Sequence, residues 1–137
     1  MAKKRFQFYN PNPMQKYHKD GTPYQWKYSD CVIRAMSKLR DLGWRDTFDL
    51  VAEYCREHYM VSCDRYLMDL MLKDMGYSKI GLKPRERMKV KDFCKTYPKG
   101  KYFCNVCGHV VAVEDGCYYD AWDSGDLYVT SFFERKK

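Results

Sequence analysis

The sequence predicts an α+β domain in which N-terminal helices pack on a C-terminal antiparallel β-sheet. Apolar residues recur at helical spacing between residues 29 and 97, whereas β-branched and aromatic residues dominate from residue 101 onward. Asp115-Gly116 is a dipeptide typical of tight β-hairpin turns, and it divides the second region. The chain has 137 residues, 45% of them hydrophobic, so it can form a core without disulfide support.

Residues 1–28 are predicted to form an extended N-terminal arm, and residues 29–137 a single domain. The arm is polar and aromatic, and prolines at positions 11, 13 and 23 interrupt it. The first helix is expected to begin near Ser29, a favoured N-cap residue, and to end at Gly43. Its apolar face is formed by Val32, Ala35, Met36 and Leu39.

Three further helices are predicted. The second follows Asp46 or Thr47, and the third covers residues 64–75 and stops at Gly76. The fourth is short, covers residues 90–97 and is closed by Pro98. A basic connector separates the third helix from the fourth.

The strands after residue 101 place two polar side chains on one face of a hairpin. With Asp115-Gly116 as the turn, Glu114 pairs with Cys117, and the register brings Val111 opposite Asp120. Because side chains alternate along a strand, His109 and Asp120 then share a face and are diagonal neighbours. Asp123 falls on the opposite face and is the weaker candidate, although a slip of one residue would reverse the choice.

Cys31 is the candidate nucleophile. It lies in the first turn of the first predicted helix, where unpaired N–H groups and the helix dipole favour a thiolate. A cysteine at such a position, together with a histidine beside a carboxylate, fits the combination of nucleophile, base and orienting acid. We therefore expect Cys31, His109 and Asp120 to form a catalytic set.

These residues resemble the papain-like cysteine peptidases. The resemblance is carried by residues 30–35, DCVIRA, and by residues 108–123, GHVVAVEDGCYYDAWD, which look like small papain-like proteins of bacteria and their phages. Gln25 lies six residues before Cys31, the spacing of the oxyanion-hole glutamine in this superfamily. The pairing of Gln25 with Asp30-Cys31 is also similar to the peptidases that process bacteriocin leader peptides.

The resemblance implies a papain-like fold and a thiol hydrolase that cleaves a peptide or isopeptide bond. In this interpretation Cys31 attacks the carbonyl, His109 transfers protons and Asp120 orients the imidazole. Gln25 and the backbone N–H of Cys31 would stabilise the oxyanion. The alternative is a catalytically inactive papain-fold binding protein that acts on a host protein or nucleic acid.

Composition and charge indicate the cellular compartment and the kinds of partner to expect. The chain has seven cysteines, an odd number, no secretory signal and no run that could span a bilayer, so we expect a reducing cytoplasm and no membrane contact. For a phage protein this would be the host cytoplasm. The net charge of +7 allows an acidic partner or nucleic acid besides a protein or peptide substrate, although surface solubility explains it as well.

A zinc site is the competing interpretation of the cysteines. Cys104-x-x-Cys107-Gly108-His109 resembles one half of a zinc ribbon, but the chain has no second C-x-x-C pair. The remaining candidates are irregularly spaced; they are Cys55, His58, Cys63 and Cys94. Burial of Cys104 is favoured over metal binding, and no metal or cofactor is expected.

Overall fold

The computed structural model describes residues 5–61 and 64–135, and it contains four helices and a seven-stranded sheet within these ranges. In chain order the elements are β1 (Phe6–Phe8), α1 (Cys31–Arg40), α2 (Trp44–His58), α3 (Arg65–Asp74), β2 (Tyr77–Gly81), a 3-10 turn (Pro84–Glu86), β3 (Met88–Lys89), α4 (Val90–Thr96), β4 (Lys101–Val106), β5 (His109–Glu114), β6 (Cys117–Asp120) and β7 (Tyr128–Arg135). The predicted α+β class is confirmed. No helix in the described part of the chain has the length and apolar character needed to cross a bilayer.

The sheet has the strand order β1-β6-β5-β4-β7-β2, and β3 also pairs with β7. Its pairings are antiparallel except for β1, which runs parallel to β6. The predicted purely antiparallel sheet is corrected by this one pairing, because the N-terminal segment supplies an edge strand. Residues 9–28, the described part of the predicted arm after β1, have no regular element beyond one isolated bridge.

Helices cover both faces of the sheet. On one face, α1 and α3 bury Met36, Leu67 and Met71 against Phe103 and Phe133. On the other face, Phe93 of α4 lies in a second core built on residues of β4, β5, β6 and β7. The sheet is therefore buried on both sides, which holds its central strands in fixed register.

The β5–β6 hairpin has the predicted register. Asp115 and Gly116 both adopt positive φ angles, 50° and 78°, as a two-residue turn of this hand requires. Glu114 pairs with Cys117, and Ala112 pairs with Tyr119. Continuing this register by one residue brings Val111 opposite Asp120.

The helix starts differ slightly from the predicted ones. The N-cap of α1 is Asp30 rather than Ser29, and α2 begins at Trp44, two residues before Asp46. Sequence patterns did not predict β2 or β3, both of which pair with β7.

Candidate active site

Cys31 is the first residue of α1, and its thiol hydrogen bonds to the His109 side chain. The N–H of Val110, at the start of β5, also donates to the sulfur. Burial raises the pKa of the Cys31 thiol, but the hydrogen bond and charge of His109, the Val110 N–H and the Arg34 guanidinium outweigh it and hold the pKa below its ordinary value. The site therefore favours a thiolate.

His109 is the first residue of β5 and follows Gly108, whose φ of 65° closes the turn from β4. Its Nε2 lies 2.7 Å from Oδ2 of Asp120, which leaves Nδ1 as the ring nitrogen for the thiol. Burial opposes the charged ring, but hydrogen bonds and charges of Asp120 and Cys31 raise the pKa of His109 to about 9. The lowered pKa of Cys31 and the raised pKa of His109 both favour the thiolate–imidazolium form of this pair.

Asp120 ends β6 and is buried, with 3% of its surface exposed. Besides the His109 ring, it accepts hydrogen bonds from the Ser124 hydroxyl at 2.8 Å and from the Ala121 N–H at 2.7 Å. Asp123 is engaged elsewhere, because its carboxylate accepts from the Tyr118 hydroxyl and the Gly125 N–H. The structure thus places Asp120 rather than Asp123 against His109.

A buried arginine links the Asp120 carboxylate to the start of α1. Nη2 of Arg34 lies 3.2 Å from Oδ1 of Asp120, and Nη1 of the same guanidinium bonds to Asp30. Arg34 is only 4% exposed. Cys31, His109, Asp120, Arg34 and Asp30 thus form a row of alternating negative and positive charges, here called the charge row.

At the far end of the charge row, three neutral donors stabilise the Asp30 carboxylate in addition to Arg34. The indole N–H groups of Trp26 and Trp44 each donate to the Asp30 carboxylate at 2.9 Å, and the Asn12 amide donates at 3.1 Å. With these partners the Asp30 side chain makes no capping bond to its own helix. The first N–H groups of α1 are therefore left available to the thiolate and to a substrate oxyanion.

Trp122 covers the imidazole. Its ring is stacked on His109 with centroids 4.9 Å apart and an interplanar angle of 28°. The His109 side chain is consequently only 11% exposed. Because water competes for hydrogen bonds, this cover strengthens the bond between the imidazole and Asp120.

Two cavities meet at Cys31. The larger, here called the apolar groove, has a volume of about 810 Å³ and runs between the start of α1 and α2. It is lined mainly by Cys31, Val32, Ile33, Trp44, Phe48, Val51, Ala52, Cys55, Met60 and Val61. The smaller, here called the small cavity, measures about 160 Å³ and is lined by Cys31, Arg65, Met68, Asn105, His109 and their neighbours.

Gln25 is exposed and lines a separate depression with residues 14–16 and 24–28. It does not line either cavity that adjoins Cys31. The structure therefore brings Cys31, His109 and Asp120 together and leaves the Gln25 side chain outside the group.

The residues considered for zinc binding are dispersed. Cys104 is fully buried in the sheet core, where burial raises its pKa well above the ordinary value, and Cys107 is exposed in the turn before His109. Burial also raises the pKa of Cys94 to about 12. Within residues 5–61 and 64–135, no group of three or more histidine, cysteine or acidic side chains could hold a metal ion. Cys63 lies outside the described residues.

Sequence analysis missed Arg34, Asp30 and Ser124 as members of the site. One signal was present for Arg34, because it interrupts the apolar run from Val32 to Met36 and lies four residues after Asp30. An arginine on a buried helix face indicates a charged partner. The identity of that partner, Asp120, depends on how α1 docks against β6.

Comparisons of the chain with protein-family models, with curated proteins and with solved structures found no match. The functional assignment therefore depends on the geometry of the site.

Proposed function

We propose that this protein is a cysteine peptidase-like thiol hydrolase that cleaves a peptide or isopeptide bond through Cys31, His109 and Asp120. One observation carries the proposal: the thiol, the imidazole and the carboxylate are joined by consecutive hydrogen bonds at the start of a helix. A cysteine buried for packing alone would need neither the imidazole nor the buried carboxylate behind it.

The reaction has two half-reactions. The Cys31 thiolate attacks the carbonyl carbon and forms a C–S bond, and the imidazolium of His109 donates a proton to the leaving nitrogen as the C–N bond breaks. Water then attacks the thioester while His109 accepts its proton. Release of the acid and of the Cys31 thiolate, with His109 protonated, restores the starting pair.

Backbone groups supply the oxyanion stabilisation in this scheme. The N–H groups of Cys31 and Val32 lie at the start of α1, where they have no intrahelical acceptor, and both residues line the cavities at the sulfur. Donors held in place before reaction are the largest single contribution in many acyl-transfer sites. The resemblance to papain-like peptidases agrees with this scheme.

Alkylation by iodoacetamide tests the nucleophile. At pH 6.5 to 7 we expect Cys31 to react faster than the exposed Cys107 by roughly tenfold or more, because only a thiolate displaces iodide at a useful rate. Mass spectrometry of tryptic peptides measures both rates in one sample, so Cys107 is an internal reference. Alkylation of Cys31 no faster than that of Cys107 would overturn the proposal.

Hydrolysis of a peptide library separates an enzyme from a binding protein. We expect cleavage by the wild-type protein and none by Cys31→Ala, whereas Cys107→Ala remains active. Rapid alkylation of Cys31 without hydrolysis of any library member would favour the binding-protein alternative.

A further inference from the structure

The two cavities at Cys31 differ in their relation to His109, and this difference indicates how a substrate would be oriented in the site. His109 lines the small cavity but not the apolar groove. The leaving nitrogen must receive its proton from His109, so the leaving half of the substrate lies on the side of the small cavity. The apolar groove is then the space at the sulfur that remains for the acyl half.

The apolar groove has the dimensions and lining of a specificity pocket. Its volume of about 810 Å³ lies within the range of roughly 300–1,000 Å³ that is typical of ligand sites. Its lining is mainly aliphatic and aromatic, and the charged residues among it are Asp30, which is paired with Arg34, and Arg56. A charged acyl-side chain would lose hydration among this mainly apolar lining.

One wall of the apolar groove is held in place before any substrate binds. The indole of Trp44 donates to Asp30, and its ring stacks on Phe48 with centroids 5.3 Å apart and an interplanar angle of 10°. Phe48 is 47% exposed although it is a large apolar residue. An exposed aromatic surface that continues to the reactive sulfur is typical of a binding site.

We propose that the apolar groove binds a large apolar side chain, aromatic or branched, on the acyl side of the scissile bond of a peptide substrate. This inference depends on the proposed function, since the direction of the substrate follows from the role of His109. It adds the chemical class of the substrate, which the three catalytic residues do not determine.

Peptidyl chloromethyl ketones provide the test, because the thiolate displaces chloride and leaves the acyl-side residue fixed beside the sulfur. The probes are the acetylated phenylalanyl, glycyl and aspartyl chloromethyl ketones and a linear octanoyl analogue. We expect the phenylalanyl probe to label Cys31 at least about tenfold faster than each of the others, because even one methylene group in an apolar pocket changes rates by about tenfold or more.

Two substitutions connect the preference to the groove. Ala52→Phe fills it, and Glu53→Phe adds the same ring at an exposed neighbouring position of α2 that does not line it. We expect Ala52→Phe to lower the ratio of phenylalanyl to glycyl labelling by about tenfold and Glu53→Phe to leave it unchanged. Phe48→Ala, which removes an exposed ring, is expected to lower the ratio without disturbing the core.

The outcomes for the groove and for the nucleophile are separable. Three results would overturn the inference about the groove. They are a phenylalanyl-to-glycyl labelling ratio near one in the wild-type protein, the same ratio unchanged in both Ala52→Phe and Phe48→Ala, and labelling by the octanoyl probe that is faster than by the phenylalanyl probe. Iodoacetamide is too small to sense the groove, so its rate at Cys31 reports on the nucleophile alone. Slow alkylation of Cys31 by iodoacetamide would instead overturn the proposed function.

Discussion

Asp120 serves two positive groups at once. One carboxylate oxygen faces the His109 ring at 2.7 Å, and the other faces the Arg34 guanidinium at 3.2 Å. Because the carboxylate is buried, each interaction is stronger than it would be in water. The effect of the Asp120 charge on the pKa of His109 can be measured by a substitution that preserves the shape of the side chain.

Replacing Asp120 by asparagine is expected to lower the pKa of His109 from about 9 towards its ordinary value of 6.5, because the amide carries no charge. NMR titration of the His109 ring measures this directly, and the alkaline limb of peptide hydrolysis should move in the same direction. Asp123→Asn is the matched control, since its carboxylate faces Tyr118 instead. An unchanged His109 titration in Asp120→Asn would contradict the assignment.

The same pKa has a consequence for stability. A group whose pKa is raised on folding stabilises the protein fully below its unfolded pKa and loses that contribution as the pH rises through its folded pKa. For His109 this loss takes place between about pH 6.5 and about pH 9. The contribution of His109 to the free energy of unfolding therefore decreases across this range.

The residues of the site were predictable to different degrees. The Asp115-Gly116 turn determined the register, and the register selected Asp120 over Asp123. The charge partner of Arg34 was not predictable, because a single arginine in an apolar run does not identify the strand that will face it. Gln25 was selected by its spacing from Cys31, and spacing does not determine the direction of a side chain in an irregular segment.

At the scale of elements, α1 carries the candidate nucleophile Cys31 and the arginine of the charge row one turn apart. Cys31 meets β5 through His109 and the Val110 N–H, and Arg34 meets β6 through Asp120. The helix is thus joined to two neighbouring strands by polar contacts in addition to its apolar face. These contacts specify how α1 is positioned along the sheet.

Replacing Arg34 by methionine is expected to lower the free energy of unfolding by roughly 3–5 kcal/mol, because two buried carboxylates then lose their shared cation. Arg34→Lys should lose less, since it retains a charge but cannot bond to both carboxylates with a planar group. Urea denaturation measures the change. Arg40→Met, at the exposed end of the same helix, is the control and should change stability by less than about 0.5 kcal/mol. Equal stabilities of Arg34→Met and Arg40→Met would refute the structural role of the ion pairs that Arg34 makes.

Some helices and strands have a recognisable sequence periodicity, whereas others form only by pairing with a strand distant in the sequence. The four helices and the strands after residue 101 have the periodicity expected of them, and their predicted bounds differ from the observed ones by a few residues. By contrast, β1, β2 and β3 are short and form against strands distant in the sequence. Their existence is determined by the exposed edges of β6 and β7 rather than by their own residues.

At the scale of the whole molecule, the N-terminal strand β1 forms the edge of the sheet beside β6, the strand that ends in Asp120. The N–H of Tyr118 donates to the carbonyl of Arg5, and the N–H of Tyr9 donates to the carbonyl of Asp120, each at 2.9 Å. A segment near the start of the chain therefore holds the strand that carries Asp120.

Proline at position 9 tests this connection, because it removes the N–H that bonds to Asp120. Tyr9→Ala is the matched control, since it also loses the ring and its bond to Ser37 but keeps the backbone donor. We expect Tyr9→Pro to be less stable than Tyr9→Ala by about 1–3 kcal/mol, the cost of an unpaired buried carbonyl, and the His109 titration to shift only in the proline variant. Identical thermal unfolding and His109 titration of the two variants would show that β1 does not support the site.

Cys31 and His109 are far apart in the sequence, and no spacing rule brings them together. Their contact requires α1 to dock across β5, and that docking depends on the core that α1 shares with the sheet and on the bond from Arg34 to Asp120. The chemistry of each residue could be inferred from its local surroundings, but their meeting is a property of the assembled fold.

The charge row also limits how this protein can change over generations. Each inner member of the row pairs with two neighbours of opposite charge. A single substitution therefore leaves a buried charge without a partner and lowers the stability of the protein. Exchanging Arg34 and Asp120 together for apolar residues does not avoid this cost, because Asp30 then loses its cation and His109 loses its carboxylate. We therefore expect substitutions in the charge row to be tolerated only when several of its members change together.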